Sequence, residues 1–142
     1  MFNLLICFLI TSCSSDDNND NPNNTLQETI ENDTQSGTWR ITKFIDSGIN
    51  ETSDFSGYNF TFNSTGALNS SNGTNSFDGT WNISSDGADL DDLELNILFN
   101  LMNDLDDLTN DWDFISQTST KIELIDIIGG VEPDDLLTYE RK

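Results

Sequence analysis

Carboxylates are the most abundant side chains in this sequence that could do chemistry. There are 26 Asp+Glu residues against 5 Lys+Arg, and no His. The commonest general base and the commonest zinc ligand are therefore absent. Two stretches concentrate the acids, one at residues 86–92 and one at 104–113. Such stretches could supply the about six to eight oxygen ligands that calcium takes.

Neither acidic stretch has the spaced Asp/Asn pattern, central Gly and terminal Glu of a calcium loop. A run of charge usually forms a solvated surface, so we predict no metal site. The candidate ligands for a cation are Asp86, Asp89, Asp91 and Asp92. The sequence also contains no Gly-rich phosphate loop and no nucleophile elbow. We therefore predict that the protein is not an enzyme and carries no cofactor.

The charge balance restricts the partners. The formal net charge is -21, so nucleic-acid phosphates and anionic lipid head groups would repel the chain. Lys43 and Lys121 are successive basic residues, so the middle of the chain has no cation to compensate its acids. We predict no nucleic-acid partner.

Residues 9–13, Leu-Ile-Thr-Ser-Cys, follow an uncharged apolar run. The run is too short to span a bilayer, which needs about 20 apolar residues, and it is typical of a signal peptide. The pentapeptide resembles the lipobox of bacterial lipoproteins. That resemblance implies cleavage before Cys13 and acylation of this residue, which would give stable membrane anchoring. It also leaves the mature domain without a disulfide, because Cys7 lies in the removed segment.

The residues after Cys13 are rich in Ser, Asp and Asn. Residues 14–20 resemble the signal that follows the lipidated Cys in surface-exposed lipoproteins of the Bacteroidetes. The resemblance implies a lipid-anchored protein of the outer membrane that is exposed at the cell surface. The alternative is a solvated acidic spacer. We therefore assign residues 1–12 to the signal peptide and 13–36 to the lipidated Cys and a flexible acidic tether, with a helical turn or two around Leu26 and Ile30.

Residues 37–142 show short runs of alternating apolar and polar residues, separated by Gly, Asn, Asp and Ser. This pattern predicts an all-β domain. The predicted strands are 38–46, 58–62, 67–71, 77–83, 93–99, 112–116, 121–128 and 136–141. Eight strands joined mostly by hairpins favour an antiparallel up-and-down barrel, which removes exposed sheet edges. Leucines at helical spacing predict a short helix within residues 100–108, between strands five and six.

Gly37-Thr38-Trp39 on the first strand is repeated as Gly79-Thr80-Trp81. A Gly before an aromatic residue would let a strand bend at a barrel corner. The first copy resembles the Gly-x-Trp signature of lipocalins. Nearly the whole mature chain resembles the small lipocalin-like lipoproteins of flavobacteria and other Bacteroidetes. The resemblance implies a lipocalin-like barrel in which Arg141 stacks on Trp39 by a cation–π contact.

Two functions follow from these expectations. An eight-stranded barrel can hold one small ligand, so the protein could bind a small apolar or amphipathic molecule inside. The alternative is a surface interaction module with a packed core, which binds a protein or a glycan through its loops. The residues that would line the pocket or form the core are Trp39, Tyr58, Phe60, Phe62, Phe77, Trp81, Trp112 and Phe114. We expect a monomer that contacts the membrane through its lipid anchor.

Overall fold

The computed structural model describes the backbone of residues 22–142 and the side chains of residues 25–142. The predicted signal peptide, Cys13 and the acidic residues 14–20 lie outside the described residues. No helix in the described part of the chain combines the length and the apolar character needed to cross a membrane.

The domain consists mainly of strands, and all eight predicted strands are confirmed. The strands are β1 (Trp39–Asp46), β2 (Ile49–Asn50), β3 (Asn59–Phe62), β4 (Ala67–Ser71), β5 (Ser76–Ser85), β6 (Leu93–Leu98), β7 (Asn110–Gln117), β8 (Lys121–Asp126) and β9 (Asp135–Arg141). The additional strand, β2, has two residues and forms a hairpin with the end of β1. Buried and exposed residues alternate along β1, β5 and β6, as the sequence pattern predicts.

The strands close into an antiparallel up-and-down barrel, which confirms the predicted fold class. From β3 to β9, each strand pairs with the next one along the chain. The ring closes because β1 also pairs with β9, from Trp39 opposite Arg141 to Ile45 opposite Leu136. The register of this pair shifts between Ile41 and Lys43, which marks a β-bulge.

A helix precedes the barrel and packs against one end of it. Helix α1 (Pro22–Gln35) includes part of the segment assigned to the tether. Ile30 and Thr34 lie one turn apart and are fully buried. Gln27 Nε2 donates a hydrogen bond of 2.9 Å to the carbonyl oxygen of Ile83 in β5. We call this the helix end of the barrel, and the opposite end, where β1 turns into β2, the distal end.

The helix predicted within residues 100–108, between the fifth and sixth predicted strands (β6 and β7 in the structure), is wrong in type. Between β6 and β7 the chain forms a five-residue 3-10 helix, Asp104–Leu108, and the α-helix lies before β1 instead. Another 3-10 helix, Thr52–Phe55, follows β2. Phe55, Leu105 and Leu108 are buried, so both 3-10 helices cover the core at the distal end. A third 3-10 helix, Leu90–Asp92, precedes β6.

Aromatic rings fill the interior. Tyr139 makes edge-on contacts with Phe60 and Phe62, at centroid distances of 5.4 and 5.5 Å. Phe62 also meets Trp81 edge-on at 5.4 Å, and Phe44 meets Phe55 at 5.2 Å. Each such pair stabilises a fold by about 0.5–1.5 kcal/mol beyond the area that it buries. The barrel wall is therefore supported from within by a connected aromatic core.

Candidate functional site

The residues predicted to line a pocket or form the core all belong to the aromatic interior. Six are buried: Trp39, Phe60, Phe62, Trp81, Trp112 and Phe114. Tyr58 and Phe77 are half-buried and pack against the others. These side chains pack together in one hydrophobic cluster, which favours the core interpretation.

The three Trp indoles are also engaged within the protein. Trp39 Nε1 donates to the carbonyl oxygen of Thr34 in α1 at 2.9 Å. Trp81 Nε1 donates to Asn63 at 2.9 Å, and Trp112 Nε1 donates to the carbonyl oxygen of Leu108 at 3.0 Å. A buried indole N–H usually needs such a partner. These bonds tie barrel strands to the helix, to a turn and to a 3-10 helix.

Arg141 stacks on Trp39, as the sequence resemblance implies. The guanidinium carbon lies 5.1 Å from the ring centroid. Arg141 Nη2 also donates to the carbonyl oxygen of Asp33 near the end of α1, at 2.8 Å. A cation over an aromatic face is attracted by the ring quadrupole. Arg141 therefore joins the last strand, the first strand and the helix, which is a structural role.

Two hydroxyl groups in the interior have no hydrogen-bond partner among the described residues. They belong to Tyr139 and Ser70, both fully buried. Burial raises the pKa of Tyr139 far above its usual range. Its hydroxyl therefore stays neutral at any physiological pH.

The structure brings together three of the four candidate cation ligands. Carboxylate oxygens of Asp89, Asp91 and Asp92 lie within 4.8 Å of one another, and Asp86 is not part of this group. Asp89 and Asp92 form a capping box at the 3-10 helix Leu90–Asp92, in which each side chain accepts the other's backbone N–H. Two of the three carboxylates therefore already hold the loop, which accounts for the cluster without an ion.

A groove of about 430 Å³ lies on the outside of the barrel, across β5, β6 and β7. We call it the outer groove. Asn82 on β5 lies opposite Asn96 on β6, which in turn lies opposite Asp111 on β7. Residues directly opposite each other on antiparallel strands have Cβ atoms about 4.5–5.5 Å apart. The three side chains therefore form one polar row across the groove.

Apolar side chains are exposed at the distal end. The strand register places the β1–β2 hairpin and the β8–β9 loop at this end, because Ile45 pairs with Leu136 and Trp39 with Arg141 at the helix end. The two loops are joined by a hydrogen bond of 2.7 Å from Ser47 N to Asp135 Oδ1. The exposed side chains, which we call the distal apolar residues, are Ile49, Ile127, Ile128 and Val131.

Several carboxylates lie close to one another at the distal end. Partial burial raises the pKa of Glu51, Asp107 and Asp135, and the negative charge of Asp46 raises all three further. The hydrogen bond from the Ser47 backbone opposes the shift at Asp135. Among the described residues, one salt bridge occurs, between Lys121 and Glu123. The acids of the distal end therefore repel one another without a paired cation.

Sequence reasoning missed both of these surfaces. Ile127 and Ile128 were assigned to the end of a strand, but β8 ends at Asp126 and leaves them in a loop. The adjacent apolar pair Ile127 and Ile128, which breaks the alternation just before Gly129 and Gly130, is the signal for this. The outer groove depends on the register between three strands, which the sequence pattern does not specify.

Comparisons with known proteins agree with the architecture. Searches against family models and against curated proteins give no match. The structure is similar to the crystal structure of a DUF4847 family protein from Bacteroides vulgatus, with a TM-score of 0.52 and 19% sequence identity. The match covers 80% of this chain and 97% of that chain. At this identity the likeness shows a shared barrel fold.

Proposed function

We propose that this protein is a surface lipoprotein of the outer membrane, anchored through Cys13, whose barrel is a rigid scaffold for binding a partner protein. The lipobox-like residues 9–13 and the acidic residues that follow support the anchor. The packed aromatic interior supports a rigid scaffold rather than a barrel that binds a ligand inside. Helix α1 begins at Pro22, so an anchor at Cys13 would attach the protein to the membrane from the helix end of the barrel. The distal end would then be free to meet a partner.

The distal apolar residues are the observation that carries this proposal. Val131 is 99% exposed, Ile127 63% and Ile49 62%. Single exposed apolar residues are ordinary, but a group of them at one end of a domain is typical of an interaction surface. Burying one such side chain contributes about 1.5–3 kcal/mol. Two or three of them would contribute about 3–9 kcal/mol before the entropic cost of association is subtracted.

The charge around these residues defines the partner. Asp46 ends β1, Asp134 lies in the β8–β9 loop and Asp135 begins β9, so all three lie in or beside the loops that carry the distal apolar residues. A partner must therefore present apolar side chains together with Lys or Arg, because an acidic partner would be repelled. A basic, amphipathic segment of a protein meets both requirements.

Binding of designed peptides tests this proposal. The probes are an amphipathic helix of Leu and Lys and a matched helix of Leu and Glu, added to the full chain carrying Cys13→Ala. We expect the basic peptide to bind, and the double variant Ile127→Ser, Val131→Ser to bind it at least about tenfold more weakly, which is about 1.4 kcal/mol. Ile115→Ser is the matched control, because Ile115 is an exposed Ile on the barrel strand β7, away from the two distal loops. Equal binding of both peptides, or an equal loss in the control, would contradict the proposal.

The membrane anchor has its own test. Replacing Cys13 by Ala removes the thiol that would receive the lipid, so the variant should leave the outer-membrane fraction. Labelling with a radioactive or clickable fatty acid should mark the wild type and not the variant. Retention of the variant in the membrane fraction would refute the lipobox assignment.

An apolar ligand inside the barrel is the other function predicted from the sequence. Such a ligand would have to displace aromatic side chains that now contact one another. Titration of the tryptophan fluorescence with a fatty acid tests it, because Trp39, Trp81 and Trp112 all lie in the interior. A saturable change would favour the ligand over the scaffold.

A further inference from the structure

The polar side chains of the outer groove are held in fixed positions, and some of their hydrogen-bonding atoms remain available to a ligand. Asn96 Nδ2 donates to Asn82 Oδ1 at 2.7 Å and to Ser84 Oγ at 3.0 Å. These bonds fix both amides. Within the described residues, Asn82 Nδ2 and Asn96 Oδ1 have no hydrogen-bond partner, so one donor and one acceptor remain for a ligand.

An apolar side chain borders this polar row. Leu98 on β6 lies opposite Thr80 on β5, one step along the strands from Asn82 and Asn96. Leu98 is 53% exposed and lines the groove. A ligand in the groove would therefore meet hydrogen-bonding groups on one row and an apolar surface with a hydroxyl on the next.

The charge of the groove excludes anions. Asp111 lies in the polar row, and Glu94 and Asp113 form a pair in the row beyond it. The wall formed by β5, β6 and β7 lies within residues 44–120, which contain no Lys or Arg. An anionic ligand would be repelled, whereas ligand hydroxyl groups can donate to the carboxylate of Asp111.

We propose that the outer groove binds a neutral oligosaccharide. A sugar ring presents neighbouring hydroxyl groups, which both donate and accept, along with C–H surfaces that are apolar. These match the free amide groups, the Asp111 carboxylate and Leu98. The volume of about 430 Å³ lies within the range of about 300–1,000 Å³ that is usual for ligand sites. None of the distal apolar residues lines the groove, so this site does not depend on the proposed protein partner.

Sugar binding can be measured on the full chain carrying Cys13→Ala. The probes are the neutral trisaccharides maltotriose, cellotriose and chitotriose in its N-acetylated form, with trigalacturonic acid as an anionic analogue. We expect at least one neutral trisaccharide to shift the side-chain amide NMR signals of Asn82 and Asn96. We expect its affinity to fall at least tenfold in Asn96→Leu and to change little with salt.

A matched variant separates the groove from a general effect on the barrel. Asn69→Leu is the control, since Asn69 lies on the outer face of β4 and bonds Ser76 and Asp78 away from the groove. Asp111→Asn should reduce the discrimination against trigalacturonic acid. The proposal is overturned if no neutral trisaccharide shifts the Asn82 and Asn96 signals, or if Asn69→Leu weakens binding as much as Asn96→Leu. Ile127→Ser, Val131→Ser should leave sugar binding unchanged.

Discussion

Replacing Arg141 by Met should loosen the attachment of the helix to the barrel. The substitution keeps an unbranched apolar stem but removes the guanidinium, which stacks on Trp39 and donates to the Asp33 carbonyl oxygen. Arg40→Met is the matched control. Arg40 lies on the same strand as Trp39, has its side chain exposed, and carries the same charge.

The expected loss follows from the two contacts. A cation–π contact contributes about 0.5–2 kcal/mol, and a hydrogen bond from a charged group about 1.5–3 kcal/mol. Arg141 Nε is buried without a partner, which costs about 1–3 kcal/mol and is relieved by the substitution. Taken at the middle of these ranges, the net destabilisation is about 1.5 kcal/mol. For a domain of this size it corresponds to a fall of about 4–8 °C in Tm.

Thermal unfolding followed by circular dichroism measures both variants. Arg40→Met should stay within about 0.5 kcal/mol of the wild type, as is usual for exposed positions. Arg141→Lys should fall between the wild type and Arg141→Met, because Lys keeps the charge but not the planar group that stacks on a ring. If Arg141→Met unfolds at the same temperature as Arg40→Met, the assigned role of Arg141 is wrong.

Three further predictions concern packing, pH and calcium. A Cβ at Gly79 would lie 2.5 Å from the Leu98 carbonyl oxygen and 2.7 Å from the Phe99 ring. Gly79→Ala should therefore lower the free energy of unfolding by about 1–3 kcal/mol, measured by chemical denaturation. An unchanged midpoint would contradict this. Because the native pKa values of the distal acids are raised above their ordinary values, the native state binds more protons than the unfolded state in this range. Their contribution to stability should therefore fall as the pH rises from the ordinary carboxyl pKa of about 4 through the raised native values. Asp46→Asn should raise the Tm at pH 7 by a few degrees and flatten this dependence, whereas an unaltered pH profile would argue against the crowding of acids. Calorimetry with calcium should give no more heat for the wild type than for Asp91→Asn, and a saturable heat lost in that variant would establish a cation site.

The strands could be predicted because their information is local. Alternation of apolar and polar residues reports directly which side of a strand faces the core. Trp81 and Ile83 face inward with Asn82 between them facing outward, as the pattern indicates. The contact between Arg141 and Trp39 came instead from the family resemblance.

The rest depends on contacts between distant parts of the chain. Helix α1 has few apolar residues, and its burial of Ile30 and Thr34 against the barrel stabilises it more than its own propensity does. The two copies of the Gly-Thr-Trp sequence also differ in the structure. Gly37 has a φ of +77° just before β1, whereas Gly79 lies inside β5 under the Phe99 ring. The same residue type thus serves a backbone turn at one position and a close approach at the other.

The closure of the barrel has a consequence for the order in which the chain can fold. Strand β1 pairs with β3 through a single pair, Trp39 opposite Phe60, and makes its long ladder with β9. During synthesis from the N-terminus, β1 is made before the other strands and β9, its main pairing partner, is made after them. Contacts between residues so far apart in sequence form slowly. Until β9 (Asp135–Arg141) has paired, β1 and β8 both have unpaired edges, which can pair with other chains and cause aggregation. The pairing of β9 therefore ends the period in which the domain can aggregate through these edges.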